Sequence, residues 1–141
     1  MLPNRTGASL SKKQQMLAHE PHEAGHMIIV DPRRTSTVAT AEAAAGKKHV
    51  LHLQIRNGTD MVLLNALSRL IYKQGWHDQA FIEKRTTHFD AMKATNLTQD
   101  LDEAIKLTGI SKQQMLQAAE WIGKPKAARV RRRTLFLYEK G

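Results

Sequence analysis

The stretch Met27-Ile28-Ile29-Val30-Asp31-Pro32-Arg33-Arg34-Thr35 decides how the chain is read. A short continuous apolar run halted by Asp-Pro has the form of a buried parallel strand ending at the carboxyl edge of a sheet. The loop behind it offers an acceptor and two guanidinium forks where open α/β sheets bind ligands. A second apolar stretch, Val50 to Ile55, ends in Arg56-Asn57-Gly58-Thr59-Asp60 and opens a helix. Two strand ends would then present polar loops side by side. The residue types suit nucleotide recognition: arginine for phosphate, a carboxylate for a base edge or ribose hydroxyl, glycine for close backbone approach.

Composition bounds the rest. With 141 residues and 41% hydrophobic content, the chain suits one core. It has no cysteine, so it can build neither a disulfide framework nor a Cys-ligated zinc or iron-sulfur site. Its apolar stretches fall far short of the roughly 20 residues that span a bilayer, and Met1-Leu2-Pro3-Asn4 begins no charged-then-apolar leader. Lys and Arg outnumber Asp and Glu by 22 to 13, a net +9, which directs attention to an anionic partner or ligand. Lys124, Lys126, Arg129, Arg131, Arg132 and Arg133 crowd into one linker without interleaved aromatics, the pattern of a solvated loop more than of a nucleic-acid surface. A basic rim docking on another part of a larger protein is the third reading.

Residues 1–25 read as an irregular lead-in. His19, His22 and His26 set no metal geometry and are assigned no role. Ser36 to Ala45 is a short Ala-rich helix or turn, ended by Gly46-Lys47-Lys48. Met61 to Gln74 carries Leu63, Leu67, Leu70 and Ile71 at helical spacing, with Thr59 or Asp60 as N-cap and Gly75 beyond its end. A short helix over Trp76 to Lys84 turns Trp76, Ala80 and Phe81 inward, and another covers Phe89 to Thr95. Asp100 to Leu107 is amphipathic and stopped by Gly109. Ser111-x-x-Gln114 is a capping box opening a helix through Ile122, closed by Gly123 and Pro125. The pair around Thr108-Gly109-Ile110 has a helix-turn-helix outline, but its Ala104 to Gly109 interval is one residue too long, so it reads as a helical hairpin covering the sheet. Thr134 to Tyr138 is a third strand, and a buried strand ending so near Gly141 implies an incomplete fragment of a larger domain.

These residues, taken together, resemble a known family. Ile29-Val30-Asp31-Pro32-Arg33-Arg34-Thr35, Val50-Leu51-His52-Leu53, Gly58-Thr59-Asp60, Asn65-Ala66-Leu67, Gly75-Trp76, Phe81-Ile82, Ala118-Ala119-Glu120-Trp121, Lys124-Pro125-Lys126 and Tyr138-Glu139-Lys140-Gly141 occur in this order in the large-subunit family of arsenite oxidases. That family lies within the DMSO reductase family of molybdopterin oxidoreductases. Asp-Pro-Arg and Gly-Thr-Asp are shared across the wider family; Ala-Ala-Glu-Trp, Lys-Pro-Lys and Tyr-Glu-Lys-Gly narrow the likeness to arsenite oxidase and iodate reductase.

The resemblance implies a Rossmann-like, nucleotide-binding α/β fold with a parallel sheet and flanking helices. Residues 26–141 would be part of the domain that binds one guanosine end of the bis(molybdopterin guanine dinucleotide) cofactor. On the matching positions, Asp31, Pro32, Arg33, Arg34 and Thr35 would meet ribose and phosphate, Gly58, Thr59 and Asp60 the guanosine, with Asp60 on the guanine edge. It further implies a fragment inactive alone, with iron-sulfur and molybdenum ligands outside it. The parent reaction would oxidise arsenite to arsenate, in the periplasm, with a small Rieske-type iron-sulfur subunit as partner and neither nucleic acid nor a membrane span. A basic helical nucleic-acid-binding module is the alternative; it needs arginines on one exposed helix face.

Overall fold

The computed structural model describes residues 26–124. The lead-in of residues 1–25, the run from Lys126 to Arg133 and the strand expected at Thr134 to Tyr138 lie outside the described residues.

Strand β1, Met27–Val30, is the apolar run itself, and Asp31-Pro32 ends it. Helix α1, Ser36–Ala45, follows, then a 3-10 turn, Lys47–His49, and strand β2, Val50–Leu53. The strands pair in parallel, Met27 opposite Val50 through Val30 opposite Leu53. Parallel neighbours need a crossover, which α1 supplies, and their carboxyl ends therefore finish level. Ladder pairing stops at Leu53, two residues before the end of the apolar stretch, because the Ile55 N–H turns back to the Leu53 carbonyl at 3.0 Å. Ile55 nonetheless stays buried.

Helix α2, Asp60–Lys73, is the central support. Its buried Leu63, Ala66, Leu67 and Leu70 form one stripe at helical spacing. The helix ends as the glycine predicts: Gly75 has φ +67°, its N–H reaches the Tyr72 carbonyl, and the Trp76 N–H reaches that of Ile71, both at 3.0 Å. These are the two bonds of a Schellman motif, which satisfy carbonyls left over at a helix end.

Helices α3 (Gln79–Arg85) and α4 (Phe89–Thr98) follow, then α5 (Leu101–Thr108) and α6 (Lys112–Gly123). The capping box is formed in full by Ser111 and Gln114. Helices α5 and α6 make a hairpin whose Ala104, Ile110, Met115, Ala118 and Ala119 join the α2 stripe and Leu51, Leu53 and Ile55 in one core. Neither helix of the hairpin contains an arginine, so the feature that DNA reading requires is absent from it. Helix α1 also packs on β2, but its buried Val38 and Ala41 lie outside that core. Helices thus cover both faces of the strand pair, an α/β arrangement that among the described residues has two strands and is mostly helix.

Two inward assignments fail. Ala80 is exposed and Phe81 is 58% exposed, because Asp78 caps α3 through the Phe81 N–H and the helix starts three residues later than the sequence suggests. Only Trp76 of the three packs on the core. Gly123 is also not a helix stop. It is the last residue of α6, and a Cβ there would come within 2.9 Å of Trp76 Cβ and 3.1 Å of Ile71 Cγ2. The glycine lets α6 close on the end of α2.

Candidate functional site

The first loop, Asp31 to Thr35, leaves β1 and enters α1 at Thr35, its N-cap. Its conformation is held from two sides. Within the loop, the Asp31 carboxylate accepts the Arg33 N–H at 2.8 Å, a local turn of the type aspartate favours. From β2, the Asp31 N–H donates to the Leu53 carbonyl at 3.2 Å, His52 Nε2 lies 3.1 Å from the Asp31 carbonyl, and Gln54 Nε2 donates to the Pro32 carbonyl at 3.1 Å. A carbonyl only accepts, so His52 Nε2 carries the proton in that contact.

Charge in this loop is partly spent internally. Arg34 pairs with Glu42, one turn and more along α1. The guanidinium bonded to it holds the Glu42 carboxyl below the ordinary carboxylate range, against a desolvation that pushes the other way. Arg33 is exposed and makes no side-chain bond among the described residues. The Thr35 hydroxyl is buried with no hydrogen-bond partner, and although Thr35 is the N-cap, it caps nothing. An orphaned buried hydroxyl at a helix N-terminus is a polar group awaiting a partner.

The second loop, Arg56 to Asp60, is built on a turn in which the Thr59 N–H donates to the Arg56 carbonyl at 3.3 Å. Gly58 sits at φ +77°, the left-handed region, with nothing within 4 Å of where a Cβ would be. The space over the turn is open. The Thr59 hydroxyl also donates to the Arg56 carbonyl, at 2.8 Å, and so does not cap α2. Asp60 does not cap it either: it is the first helical residue, exposed, with no hydrogen bond or ion pair among the described residues. Thr59 occupies the N-cap position that the sequence assigned to Thr59 or Asp60, but no side-chain capping bond forms. The helix dipole favours a carboxylate at this position without a direct bond.

Arg56 anchors this loop to the hairpin. Its N–H donates to the Thr108 carbonyl at 3.0 Å and its guanidinium to the Lys106 carbonyl at 2.7 Å, and the side chain runs across Gly109. The eight residues singled out from sequence thus fall into two groups at one edge of the strand pair, Asp31 to Thr35 and Gly58 to Asp60, each leading into a helix N-terminus. Sequence reasoning passed over His52, Gln54 and Arg56, which fix the loops. The signal was present: His52 and Gln54 alternate with the buried Leu51, Leu53 and Ile55, so a period of two places them on the face away from the core.

At the opposite end of the strands His26 packs against Trp121 with the rings tilted by 33° and their centroids 4.1 Å apart, and lies 5.5 Å from His49. His26 is a packing residue, not a loose loop histidine. Among the described residues no group of three or more His, Cys, Asp or Glu could hold a metal ion, and no helix is long and apolar enough to cross a membrane.

The class is thus an α/β protein with a parallel strand pair and polar loops at its carboxyl edge. Comparison with known proteins gives the family. No family model matches the chain. Arsenite oxidase subunit AioA of Herminiimonas arsenicoxydans is 46% identical over 141 residues, covering 99% of this chain and 17% of that protein. Iodate reductase subunit IdrA of Denitromonas iodatirespirans is 35% identical over 81% of this chain and 16% of its own length. The solved structure of acetylene hydratase from Pelobacter acetylenicus superimposes with a TM-score of 0.56 at 29% identity, over 67% of this chain and 12% of that one. The chain belongs to the molybdopterin oxidoreductases of the DMSO reductase family. It spans about a sixth of the length of the curated relatives it matches.

Proposed function

We propose that this chain is the part of a molybdenum oxidoreductase catalytic subunit that holds the guanosine end of a molybdopterin guanine dinucleotide, residues 26–141 belonging to a Rossmann-like domain. The observation that carries the reading is the placing of the two loops: level strand ends, side-chain ties from the second strand and its extension to the first loop, and one uncommitted carboxylate at Asp60. The relatives support it from another direction. Their names specify arsenite, iodate and acetylene, and a segment shared by proteins with such different substrates suits a common cofactor better than any one substrate.

The residues present fit a nucleotide. Arg33 and the α1 N-terminus, with the orphaned Thr35 hydroxyl, offer donors to phosphate and ribose. Asp31, Pro32 and Arg34 shape and charge that loop. Gly58 leaves room for a flat base over the turn, Thr59 closes the turn, and the Asp60 carboxylate can accept the paired N–H donors of a guanine edge. Bound in the whole enzyme, the cofactor would supply molybdenum for two-electron oxidation; this chain's residues would fix and orient it.

The parent reaction we propose is oxidation of arsenite to arsenate, on the 46% identity to the arsenite oxidase subunit; an iodate reductase-like enzyme is the nearest variant. An iron-sulfur centre held by other segments, a small Rieske-type partner subunit and a periplasmic location belong to the same proposal. The test is Asp60→Ala in the full-length enzyme, with guanine nucleotide and molybdenum content measured after purification. Both contents should fall while the folded fraction holds. Full occupancy together with lost stability would assign Asp60 to the helix alone.

A further inference from the structure

The first loop holds its path only in part through its own Asp31–Arg33 turn. Its two leading carbonyls, of Asp31 and Pro32, are both bound by side chains of the second strand and its extension, His52 at 3.1 Å and Gln54 at 3.1 Å. The Asp31 N–H is bound to the same strand at Leu53. Both side chains lie on the face away from the core, Gln54 exposed and His52 half-buried, so neither is placed there to fill apolar space. The Gln54 bond is exposed and the His52 bond part-buried, and a single hydrogen bond of either kind contributes only modest net stability to the fold.

We infer that His52 and Gln54 are positioning residues, which set the Asp31–Thr35 loop for the phosphate and ribose side of a guanine nucleotide while leaving base recognition to the second loop. This rests on the function proposed above. With both carbonyls pinned, Pro32 fixed in φ and the Arg33 N–H folded onto Asp31 at 2.8 Å, the loop is ordered before any ligand arrives. Release of the carbonyls would leave that ordering to be done on binding, which lowers affinity without removing a contact. The second loop is anchored separately, through Arg56 to the α5–α6 hairpin, and would not follow.

The experiment compares guanosine with guanosine 5′-diphosphate as probes in calorimetric titrations of the full 141-residue chain. The variants are His52→Ala/Gln54→Ala, His52→Gln and Asp60→Asn, each checked for folding by circular dichroism. The double variant should bind the diphosphate about tenfold more weakly and guanosine as the parent chain does. His52→Gln, whose amide N–H has similar reach, should restore most of the diphosphate affinity in a Gln54 background. Equal losses for both probes would show a general structural role, and an unchanged diphosphate affinity would show no role; either overturns the inference. A parent chain that binds neither probe, or an Asp60→Asn chain that binds guanosine undiminished, would overturn the nucleotide reading instead.

Discussion

The two loops stand side by side at one sheet edge, yet they spend their polar groups differently. In the first, Asp31 bonds the Arg33 N–H, Arg34 pairs with Glu42, and both leading carbonyls are held by β2. In the second, the turn closes through Thr59 and the loop is anchored by Arg56, while the Asp60 carboxylate bonds nothing among the described residues. One loop is stiffened by its own charges; the other keeps its charge for something outside. A polyphosphate needs an ordered backbone and helix N-terminus, whereas a base edge needs a carboxylate with free lone pairs.

The largest way to break the comparison is to remove the floor both loops share. Leu53 is fully buried beneath them and its carbonyl accepts the Asp31 N–H, so Leu53→Ala should cost about 2–5 kcal/mol in chemical denaturation. Both loops should lose their ligand together. Asp60→Asn separates them: nucleotide binding should weaken by about 1.5–3 kcal/mol, the range for a hydrogen bond to a charged group. Denaturation midpoints should barely move, as at a surface site with no partner. A large stability loss there would mean the carboxylate supports the helix after all.

Gly58→Ala sharpens the same point. No atom lies within 4 Å of the added methyl, so the cost is that of left-handed backbone alone, about 1–2 kcal/mol. A thermal melt would measure it, and a much larger drop would reveal crowding over the turn. The smallest effect belongs to Arg34→Ala. Because Arg34 lowers the Glu42 pKa, the pair stabilises the fold above the ordinary value of 4.5 and loses that contribution as pH falls through the lowered one. Stability curves of parent and variant should therefore be separate near neutrality and converge in acid. A gap that persists once Glu42 is fully protonated in acid would assign the effect of Arg34 to packing.

Much of the fold was legible because local rules decided it. The Asp-Pro stop after Val30, the glycine after α2 and the Ser111 capping box all act within a few residues, and each is found where the pattern places it. Phe81 was misplaced because burial depends on what lies opposite. Asp78 captured the α3 N-terminus and turned the ring outward. Gly123 was misread for a related reason, since a glycine kept for close approach to Trp76 looks in sequence like one kept for a turn.

The sequence by itself determined which residues could carry the chemistry: two apolar runs, each ending in a polar loop that opens a helix, with Asp31 to Thr35 and Gly58 to Asp60 in them. Hydrophobic period and turn chemistry are one-dimensional and can be read along the chain. Only the tertiary structure decided which of those groups are already spent and which remain free. Whether Arg34 finds Glu42 depends on how the first loop enters its helix, and whether His52 and Gln54 reach that loop's carbonyls depends on distances across the paired strands. Hydrogen bonds act over about 3 Å, and residues more than twenty positions apart come within that range only once the chain has folded.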